Sequence, residues 1–379
     1  MTRQKLLLLA GVTAVLLAAG IWLSAHRAAQ QSEQDGGILF ADLKPALAQI
    51  SEIRLSKGDG SRATLRKTDG GWLLAERNYP ADGARVRDLL LGLAAMKVVE
   101  TKTSDPANYS KLGVEAPSPT AASTLLEVVA GEKTWALIVG KGTGGRTLFV
   151  RKPESAASAL AEPVVTADTD QKPWLDRMLA EIPGADVHEI EVRPANGPAY
   201  TLTRAQRGGE FALTPVPKSR KPATPDFASQ GETLSSLFLD EVRPVPDSAP
   251  TATDHAVFRT FDGQVVELSG HRDVQNAKAY IALAVRRDAD LAARFAPAVA
   301  PPAPAAVTPA AAANGPAAPD AVPAAPAAAV APAIKPSAKT VERLAGRVTG
   351  VEYEIPIYKY DTLFKPHEEV LEPLPGKKP

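Results

Sequence analysis

Hydrophobic and polar residues alternate along the chain in stretches that occur twice. Residues 50–55 (ISEIRL) are echoed by residues 187–192 (VHEIEV), and residues 62–66 (RATLR) by residues 199–203 (AYTLT). A turn with two adjacent glycines follows in both copies. Strict alternation with one apolar side predicts antiparallel strands that bury one face of a sheet.

A helical pattern follows these strands in both copies. In residues 82–96 the apolar side chains recur with the period of about 3.6 residues that is typical of a helix, and Asp82 stands where an N-cap is expected. The predicted buried side consists of Val86, Leu89, Leu90, Leu93 and Met96. Residues 231–239 carry a shorter version of this helix.

Further strands and a closing helix are predicted in both copies. In the first copy the strands are residues 123–129, 134–139 and 147–151, closed by an apolar stretch at 163–166 and a helix at 173–179. In the second copy they are residues 255–261, 264–269 and 278–285, closed by a strand at 354–364 and a helix at 367–371. We therefore predict an α+β fold of two tandem repeats, residues 38–184 and 185–379, each an antiparallel sheet with packed helices.

An insert interrupts the second repeat at residues 296–337. Of the 39 residues from Ala296 to Ile334, 20 are Ala and 10 are Pro, and Asp320 carries the one charge. Ten prolines exclude a continuous helix, and too few large apolar side chains are present to build a core. The pattern predicts a disordered tether inside the repeat, because the strand that follows is needed to finish the sheet.

The amino-terminal segment has the composition of a membrane anchor. The stretch from Leu6 to Leu23 is uncharged, and Ser24 and Ala25 extend it to 20 residues, enough to cross a hydrocarbon core of ~30 Å. Arg3 and Lys5 precede it, so residues 1–5 are predicted to be cytoplasmic and the chain after Ala25 periplasmic. A cleaved signal peptide is the alternative.

Composition removes several classes of function. The chain has 43 Lys and Arg against 43 Asp and Glu, so no basic surface argues for nucleic-acid binding. The absence of Cys excludes disulfides, thiolate metal sites and cysteine nucleophiles. The 34 prolines are partly explained by the insert.

Candidate chemistry is sparse, and the sequence predicts no catalytic, cofactor-binding or metal-ligating residue. Residues 140–145 (GKGTGG) have the spacing of a dinucleotide-binding loop, but they lie between two predicted strands and indicate a hairpin turn. None of the five His residues forms a zinc motif. A hydrolase with dispersed residues stays open, and it would require a pocket that gathers His188 or His271 with carboxylates.

Aromatic residues allow a binding surface as well as a core. Trp72 and Trp135 are interpreted as core residues, whereas Tyr358 and Tyr360 are predicted to share one side of the closing strand. Exposed aromatics of this kind stack on glycans or dock proteins.

Several of these segments together resemble a bacterial family, the domain of unknown function 4340. They are the strand at 50–55, the GGWLL turn and strand at 70–74, the helix start at 82–86, the YSKLGV turn at 109–114 and the strand at 147–151. The resemblance implies single-pass inner-membrane proteins with an extracytoplasmic repeat region, encoded beside ABC-type transport components. It implies no catalytic residues.

The expected function is therefore a non-enzymatic, membrane-anchored periplasmic protein. We expect it to be an auxiliary or scaffold component of an ABC-type envelope transport system, held in the inner membrane by Leu6 to Leu23 and bound to protein partners of that system. The alternative is a cell-envelope scaffold or glycan-binding module. No nucleic-acid partner and no cofactor are expected.

Overall fold

The alternating stretches form the strands of large antiparallel sheets in a computed structural model of the chain. The structure describes residues 37–245, 254–295 and 350–373. It is a mixed α/β protein with large antiparallel sheets and few helices, as the pattern predicts. The chain divides into two units, unit 1 ending at Arg177 and unit 2 beginning at Met178, a few residues before the predicted boundary at 184.

The described part of unit 1 contains one large sheet and three α-helices, two of which are a single turn long. Its strands are β1 Glu52–Ser56, β2 Arg62–Thr68, β3 Gly71–Leu74, β4 Tyr79–Pro80, β5 Lys97–Thr101, β6 Thr124–Ala130, β7 Lys133–Gly142, β8 Leu148–Arg151 and β9 Ser158–Glu162. Its helices are α1 Leu43–Ala46, α2 Gly83–Ala94 and the short α3 Tyr109–Leu112. The strand order in the sheet is β4-β3-β2-β1-β6-β7-β8-β9-β5.

Unit 2 contains a second large sheet and a small two-stranded one. Its strands are β10 Met178–Ala180, β11 Val187–Arg193, β12 Tyr200–Thr203, β13 Ala212–Thr214, β14 Leu237–Phe238, β15 Glu241–Pro244, β16 Asp254–Thr260, β17 Gln264–Asp273, β18 Lys278–Arg287 and β19 Val351–Ile355. Its helices are α4 Thr224–Gly231, α5 Ala289–Arg294 and α6 Ile357–Leu363. The large sheet has the order β13-β12-β11-β16-β17-β18-β19-β15, and β10 pairs with β14.

The two large sheets have the same strand order. The eight strands β3-β2-β1-β6-β7-β8-β9-β5 of unit 1 correspond in order to β13-β12-β11-β16-β17-β18-β19-β15 of unit 2. Strand β1 thus matches β11, and β6 matches β16. The strand after the helical segment, β5 or β15, returns in both units to pair with the last strand, β9 or β19. The echoed stretches of the sequence occupy matching strands.

The core side of each sheet carries the apolar half of the alternation. Ile53 and Leu55 of β1 are fully buried, as are Ile190 and Val192 of β11. Helix α2 contacts β3 and α1, and its predicted side chains Val86, Leu89, Leu90 and Leu93 are buried. The Asp82 carboxylate accepts hydrogen bonds from the backbone of Ala84 (2.9 Å) and Arg85 (3.2 Å), which confirms the predicted N-cap.

The predicted helix at 231–239 is wrong in position. Helix α4 spans Thr224–Gly231 and has Pro225 in its first turn, where the fixed φ of proline favours helix initiation. After Gly231 the chain makes a 3-10 turn, Thr233–Ser236, and Leu237 then pairs with Ala180. Pairing with β10 therefore ends the helical segment where the apolar pattern alone would continue it.

The predicted closing strand at 354–364 is also wrong over most of its length. Strand β19 ends at Ile355, and α6 begins after Pro356. The helix packs directly on β17, because Gly270 leaves room for it: a Cβ there would lie 2.7 Å from the Tyr360 ring. Tyr360, Leu363 and Phe364 are all buried, and their i, i+3, i+4 spacing is that of one side of a helix. The alternation of apolar and polar residues in the same stretch led to the wrong prediction of a strand.

The helix predicted at residues 173–179 is replaced by a turn and a strand. Lys172–Trp174 is a single 3-10 turn, and β10 follows in unit 2. Trp174 is fully buried, and its indole donates a hydrogen bond of 2.8 Å to the Asp168 carbonyl. An extended chain after this turn lets Met178 and Ala180 pair with β14.

Three predicted segments lie outside the described residues: the tail at 1–5, the anchor at 6–25 and the insert at 296–337. Among the residues that are described, no helix is both long and apolar enough to cross a membrane.

Candidate functional site: the open faces of the two sheets

Each large sheet has a second face that carries the polar half of the alternation. In unit 1 this face presents Glu52 and Arg54 of β1 with Arg66 of β2. In unit 2 it presents Glu189 and Glu191 of β11. We call these the open face of unit 1 and the open face of unit 2.

A three-residue ion-pair network is centred on Glu52 in the open face of unit 1. Arg54 donates to one carboxylate oxygen and Arg66 to the other, the latter at 3.0 Å. Partial burial raises the pKa of Glu52, but the hydrogen bonds from the two guanidinium groups outweigh that effect, so its pKa lies below the ordinary value. The carboxylate therefore stays charged, and it holds both arginines extended along the sheet.

A hollow of about 460 Å³ lies on this open face. Its walls include Arg54, Arg66 and Glu127, and Arg54 is paired directly with Glu127 across β1 and β6. The hollow therefore carries both positively and negatively charged side chains, which are accessible to a polar surface of another molecule.

The open face of unit 2 has the same construction with different residues. Arg259 of β16 donates to Glu189 at 2.5 Å and to Glu191 at 3.4 Å. Arg193 donates to Glu191 through Nε at 2.9 Å. Here one arginine bridges two carboxylates, whereas in unit 1 one carboxylate bridges two arginines.

A hollow of about 450 Å³ lies on the open face of unit 2. Glu191, Arg193 and Glu267 line it together with the small side chains of Ser269 and Ala282. In the two hollows, β1 and β6 of unit 1 match β11 and β16 of unit 2. The charge at one matched position is reversed, because Arg54 stands where unit 2 has Glu191.

Part of the open face of unit 1 is covered by the YSKLGV turn at 109–114. Tyr109 and Val114 pack on Ile138 and form a small core on the outer side of the sheet. Gly140 permits this close approach, because a Cβ there would lie 2.5 Å from the Leu112 carbonyl oxygen. The hollow of unit 1 is thereby confined to the part of the face over β2, β1 and β6.

A buried arginine fixes this turn to the sheet. The Arg151 guanidinium donates to the carbonyls of Val114 (2.9 Å) and Ser155 (3.0 Å). It also lies 4.6 Å from the centroid of the Tyr109 ring. These contacts account for the burial of a charged side chain, because hydrogen bonds and a ring face replace its water.

The carboxyl-terminal half of the open face of unit 2 contains a polar cluster in which Glu352, His271 and Tyr280 are buried and Arg243 is partly exposed. Arg243 of β15 donates to Glu352 of β19 at 2.5 Å, and its guanidinium carbon lies 3.5 Å from the centroid of the Tyr280 ring. His271 stacks on Tyr280 and has Nε2 3.9 Å from the Glu352 carboxylate. Burial raises the pKa of Tyr280 despite the nearby Arg243, so the phenol stays neutral. No motif in the sequence pointed to this cluster, because its members are far apart along the chain.

The histidines named for a dispersed hydrolase site do not come together. His188 donates through Nδ1 to the Arg204 carbonyl (2.7 Å), and its ring lies against Phe261 and Phe295. His271 has one carboxylate beside it, and the hollow of that face is lined by His255 instead. Within the described residues, no group of three His, Asp or Glu residues is placed to hold a metal ion.

The glycine-rich residues 140–145 end β7 and lead to β8, which confirms a hairpin turn. Lys141 donates to the carbonyls of Ser110 (3.2 Å) and Lys111 (3.1 Å). This lysine therefore holds the last turn of α3.

The two tyrosines predicted to share a surface lie on different sides of α6. Tyr360 is 1% exposed, and its hydroxyl donates to Asp254 at 2.5 Å, whereas Tyr358 is 67% exposed. The prediction of a common face is wrong because residues two apart on a helix point in different directions. The core interpretation of Trp135, which is 5% exposed, is correct, and Trp72 is partly buried.

Comparison with known proteins identifies a matching domain family but no activity. The chain matches no solved structure and none of the curated proteins. The model of a family described as a domain of unknown function, DUF4340, matches residues 72–244. This segment runs from β3 in unit 1 to β15 in unit 2, so it includes the YSKLGV turn and β11. The match supports the resemblance to the DUF4340 domain family over residues 72–244.

Proposed function

We propose that this protein is a non-enzymatic, membrane-anchored component of the bacterial cell envelope that docks protein partners through the open faces of its two sheets. The observation that carries the proposal is the repetition of one charged, hollowed face on matched strands of both units. Two such faces on one chain favour a scaffold that holds two surfaces of an assembly. Charged faces of mixed sign favour specific docking, because a partner must match the pattern of both signs.

The partner class follows from the family resemblance. We propose that the chain is auxiliary to an ABC-type transport system of the inner membrane, with the apolar stretch from Leu6 to Leu23 as its anchor and the bulk of the chain in the periplasm. The location is supported by the length of that stretch and by Arg3 and Lys5 before it.

The docking proposal is tested by capture of transporter subunits from membranes. The full chain is expressed with a tag after Pro379, and photo-crosslinking residues replace Ser56 and Ser269, one on each open face. We expect crosslinks to a permease or ATPase subunit from both positions. Recovery of the chain without either kind of subunit would overturn the proposal.

A matched pair of charge reversals tests the open face itself. Arg54→Glu reverses a charge in the hollow of unit 1, whereas Arg87→Glu reverses an exposed charge on α2. We expect Arg54→Glu to reduce capture of the transporter subunit at least severalfold, and Arg87→Glu to leave it unchanged. Equal effects of the two variants would mean that the open face is not the docking surface.

The anchor is tested separately with a reporter enzyme fused after Pro379. A reporter that is active in the periplasm supports the proposed topology, and one that is active only in the cytoplasm contradicts it. Extraction of the chain from membranes by carbonate would argue against an uncleaved anchor.

A glycan-binding scaffold is the second candidate, and the exposed Tyr358 favours it. An isolated, exposed phenol ring on a helix can stack on a sugar face. Retention of the full chain on purified peptidoglycan, lost in Tyr358→Ala and kept in Tyr358→Phe, would support this function. Retention that does not change in Tyr358→Ala would remove Tyr358 from the argument.

A further inference from the structure

Four exposed aliphatic side chains belong to segments that lie next to one another at one corner of unit 1. They are Ile38, Leu91, Val99 and Val164, which are between 44% and 50% exposed. Among the described residues of unit 1, these are all the exposed large hydrophobic side chains. We call this group the apolar corner.

Backbone contacts bring the members of the apolar corner together. Ile38 pairs with Lys97 at the start of β5, and the Leu39 amide donates to the Met96 carbonyl at 2.8 Å. The segment 37–39 therefore lies against both the end of the α2 segment and the first residues of β5. Val99 follows Lys97 by two residues on the same strand.

The other two members join the apolar corner through β9 and α2. Lys97 is also paired with Glu162 of β9, and the chain continues from there to Val164. Val165 packs against α2 next to Leu91, since a Cβ at Gly92 would lie 2.9 Å from the Val165 methyl. The corner is thus formed by the end of α2, the edge strand β5 and the chain after β9.

The described chain begins at this corner. Gly37 accepts a hydrogen bond of 3.0 Å from Val98, and 11 residues, 26–36, separate it from the end of the proposed anchor. At about 3.3–3.6 Å per residue, that linker reaches at most roughly 40 Å. The apolar corner is therefore the part of unit 1 whose distance from the bilayer is most restricted.

We infer that the apolar corner rests on the membrane that holds the anchor, with its four aliphatic side chains in the interfacial layer of the outer leaflet. The inference rests on the proposed anchor at Leu6 to Leu23. Small aliphatic side chains gain free energy on leaving water for this layer, and a tether of this length makes the contact effectively intramolecular.

Charged groups around the corner are compatible with a headgroup region. Lys97 is exposed at the corner. Glu100 on the same strand is held by Lys102 at 2.6 Å, and Glu162 lies opposite Lys97 in the sheet. A hollow of about 340 Å³ opens beside Ile38 and is lined by Val98 and Lys152, so an apolar wall and an ammonium group stand together there.

The test uses the lack of Cys in the chain, which permits single labels in the full protein. Val99→Cys and Val164→Cys carry an environment-sensitive fluorophore, and the labelled protein is placed in nanodiscs of phosphatidylethanolamine and phosphatidylglycerol. Val274→Cys, at a position 85% exposed in the β17–β18 turn of unit 2, is the matched control. Leu16→Cys reports on the anchor.

We expect blue-shifted emission at Val99 and Val164, quenching by nitroxide-labelled lipid, and loss of quenching by aqueous iodide. Val274 should remain open to iodide. If Leu16 is quenched by lipid but Val99 and Val164 are not, the inference is overturned while the anchor stands. If Leu16 is not quenched, the proposed anchor fails, and lipid quenching at Val99 and Val164 would then support the corner alone.

Other occupants of the corner give a different pattern. Labels that are shielded from iodide but not quenched by lipid nitroxide would indicate a protein partner or a second copy of the chain, and this would overturn the inference. Thermal unfolding of each labelled variant checks that substitution at these exposed positions leaves the fold intact.

Discussion

Buried arginines connect backbone segments in both units. Arg151 collects carbonyl groups around the YSKLGV turn, and Arg204 does so in unit 2, where it donates to the carbonyls of Val187 (2.6 Å) and Gly209 (3.3 Å). Each guanidinium also lies over an aromatic ring, Phe211 in the case of Arg204. Burial lowers the pKa of Arg204, and the carbonyl oxygens offset the loss of water. The stability of each unit therefore depends on a buried arginine, because the ammonium group of a lysine lacks the planar, forked geometry that donates to several carbonyls at once.

Arg151→Lys tests this role. The single ammonium group of a lysine cannot donate to the carbonyls of both Val114 and Ser155. We therefore expect a loss of about 2–4 kcal/mol in the free energy of unfolding of unit 1. Urea unfolding followed by tryptophan fluorescence measures this unit, because all four Trp residues precede Met178. Arg146→Lys, at an exposed position, is the control and should change the value by less than about 0.5 kcal/mol. Equal effects of the two variants would contradict the role of Arg151.

Asp42 gives a prediction on pH. Hydrogen bonds from Lys133 and from the Trp135 indole (3.0 Å) lower the pKa of Asp42 from 3.8 to about 2. When the pKa of a carboxyl group is lower in the folded than in the unfolded chain, ionisation of that group stabilises the fold at pH values above the unfolded-state pKa. This contribution is lost as the pH falls through the folded-state pKa. The stability difference between wild type and Asp42→Asn should thus be constant above about pH 5 and shrink as the pH falls from 4 towards 2.

Urea unfolding at a series of pH values measures this difference. Asp69→Asn, at an exposed position in the turn between β2 and β3, is the control for loss of a surface carboxylate. A difference for Asp42→Asn that stays constant down to pH 2 would show that the contact with Lys133 and Trp135 does not form.

The residue scale also shows where prediction from the sequence ends. The N-cap at Asp82 was predictable, because its signal and its partners lie within one turn of helix. The Arg243–Glu352 pair was not, because 109 residues separate its members and the insert lies between them. Charged residues on a strand indicate an outward face, but the partner of each depends on the register of strands that are distant in the chain.

At the scale of elements, the alternation of apolar and polar residues predicted the strands well, but it predicted the helical segments next to them less well. Strands β1 and β11 follow the predicted alternation because one face of each is fully buried. The stretch around Tyr358 also alternates, yet it forms α6, since Pro356 ends the strand and Tyr360, Leu363 and Phe364 provide a helical buried side. A short segment satisfies both periods, and tertiary packing on Gly270 decides between them.

Gly140 and Gly142 form a matched pair of positions on β7. A Cβ at Gly140 would collide with the Leu112 carbonyl, whereas nothing lies within 4 Å of a Cβ at Gly142. We expect Gly140→Ala to destabilise unit 1 by about 1–3 kcal/mol, since the clash is with backbone. Gly142→Ala should be neutral or stabilising by up to about 1 kcal/mol.

The measurement is again urea unfolding by tryptophan fluorescence. A second readout is protection of the Tyr109 to Val114 amides from hydrogen exchange, which should fall in Gly140→Ala alone. If the two variants have the same stability, the turn does not pack on β7 as described.

At the scale of the molecule, the repeat is visible in both the sequence and the sheets, and the candidate site is only half predictable. The sequence predicts polar faces on both sheets. It does not predict that the YSKLGV turn covers one of them, because that depends on the absence of a side chain at Gly140. The position of the hollow in unit 1 depends on how far this covering turn extends.

Strand β19 provides a prediction about the whole chain. It lies between β18 and β15 in the sheet of unit 2, and α6 follows it with buried Tyr360 and Leu363. A site-specific protease sequence inserted after Ala313 should therefore allow cleavage without separation of the fragments. We expect the carboxyl-terminal fragment to remain bound to an amino-terminally tagged chain in native buffer and to be released in urea. Its loss on washing in native buffer would contradict the position of β19.

The return of β15 to β19 also has a consequence for the time at which each sheet is completed during synthesis. Strand β15 has no partner in the sheet until β19 exists, and Arg243 and Glu352 are 109 residues apart. At about 5–20 residues per second, a ribosome needs on the order of ten seconds to make that stretch. In the later part of this interval, from the end of β18 at Arg287 to the start of β19 at Val351, β18 presents an unpaired edge, the kind of surface on which strands of other chains add. The length of the Ala- and Pro-rich insert therefore sets how long the nascent chain is open to aggregation, and shortening the insert would shorten that exposure.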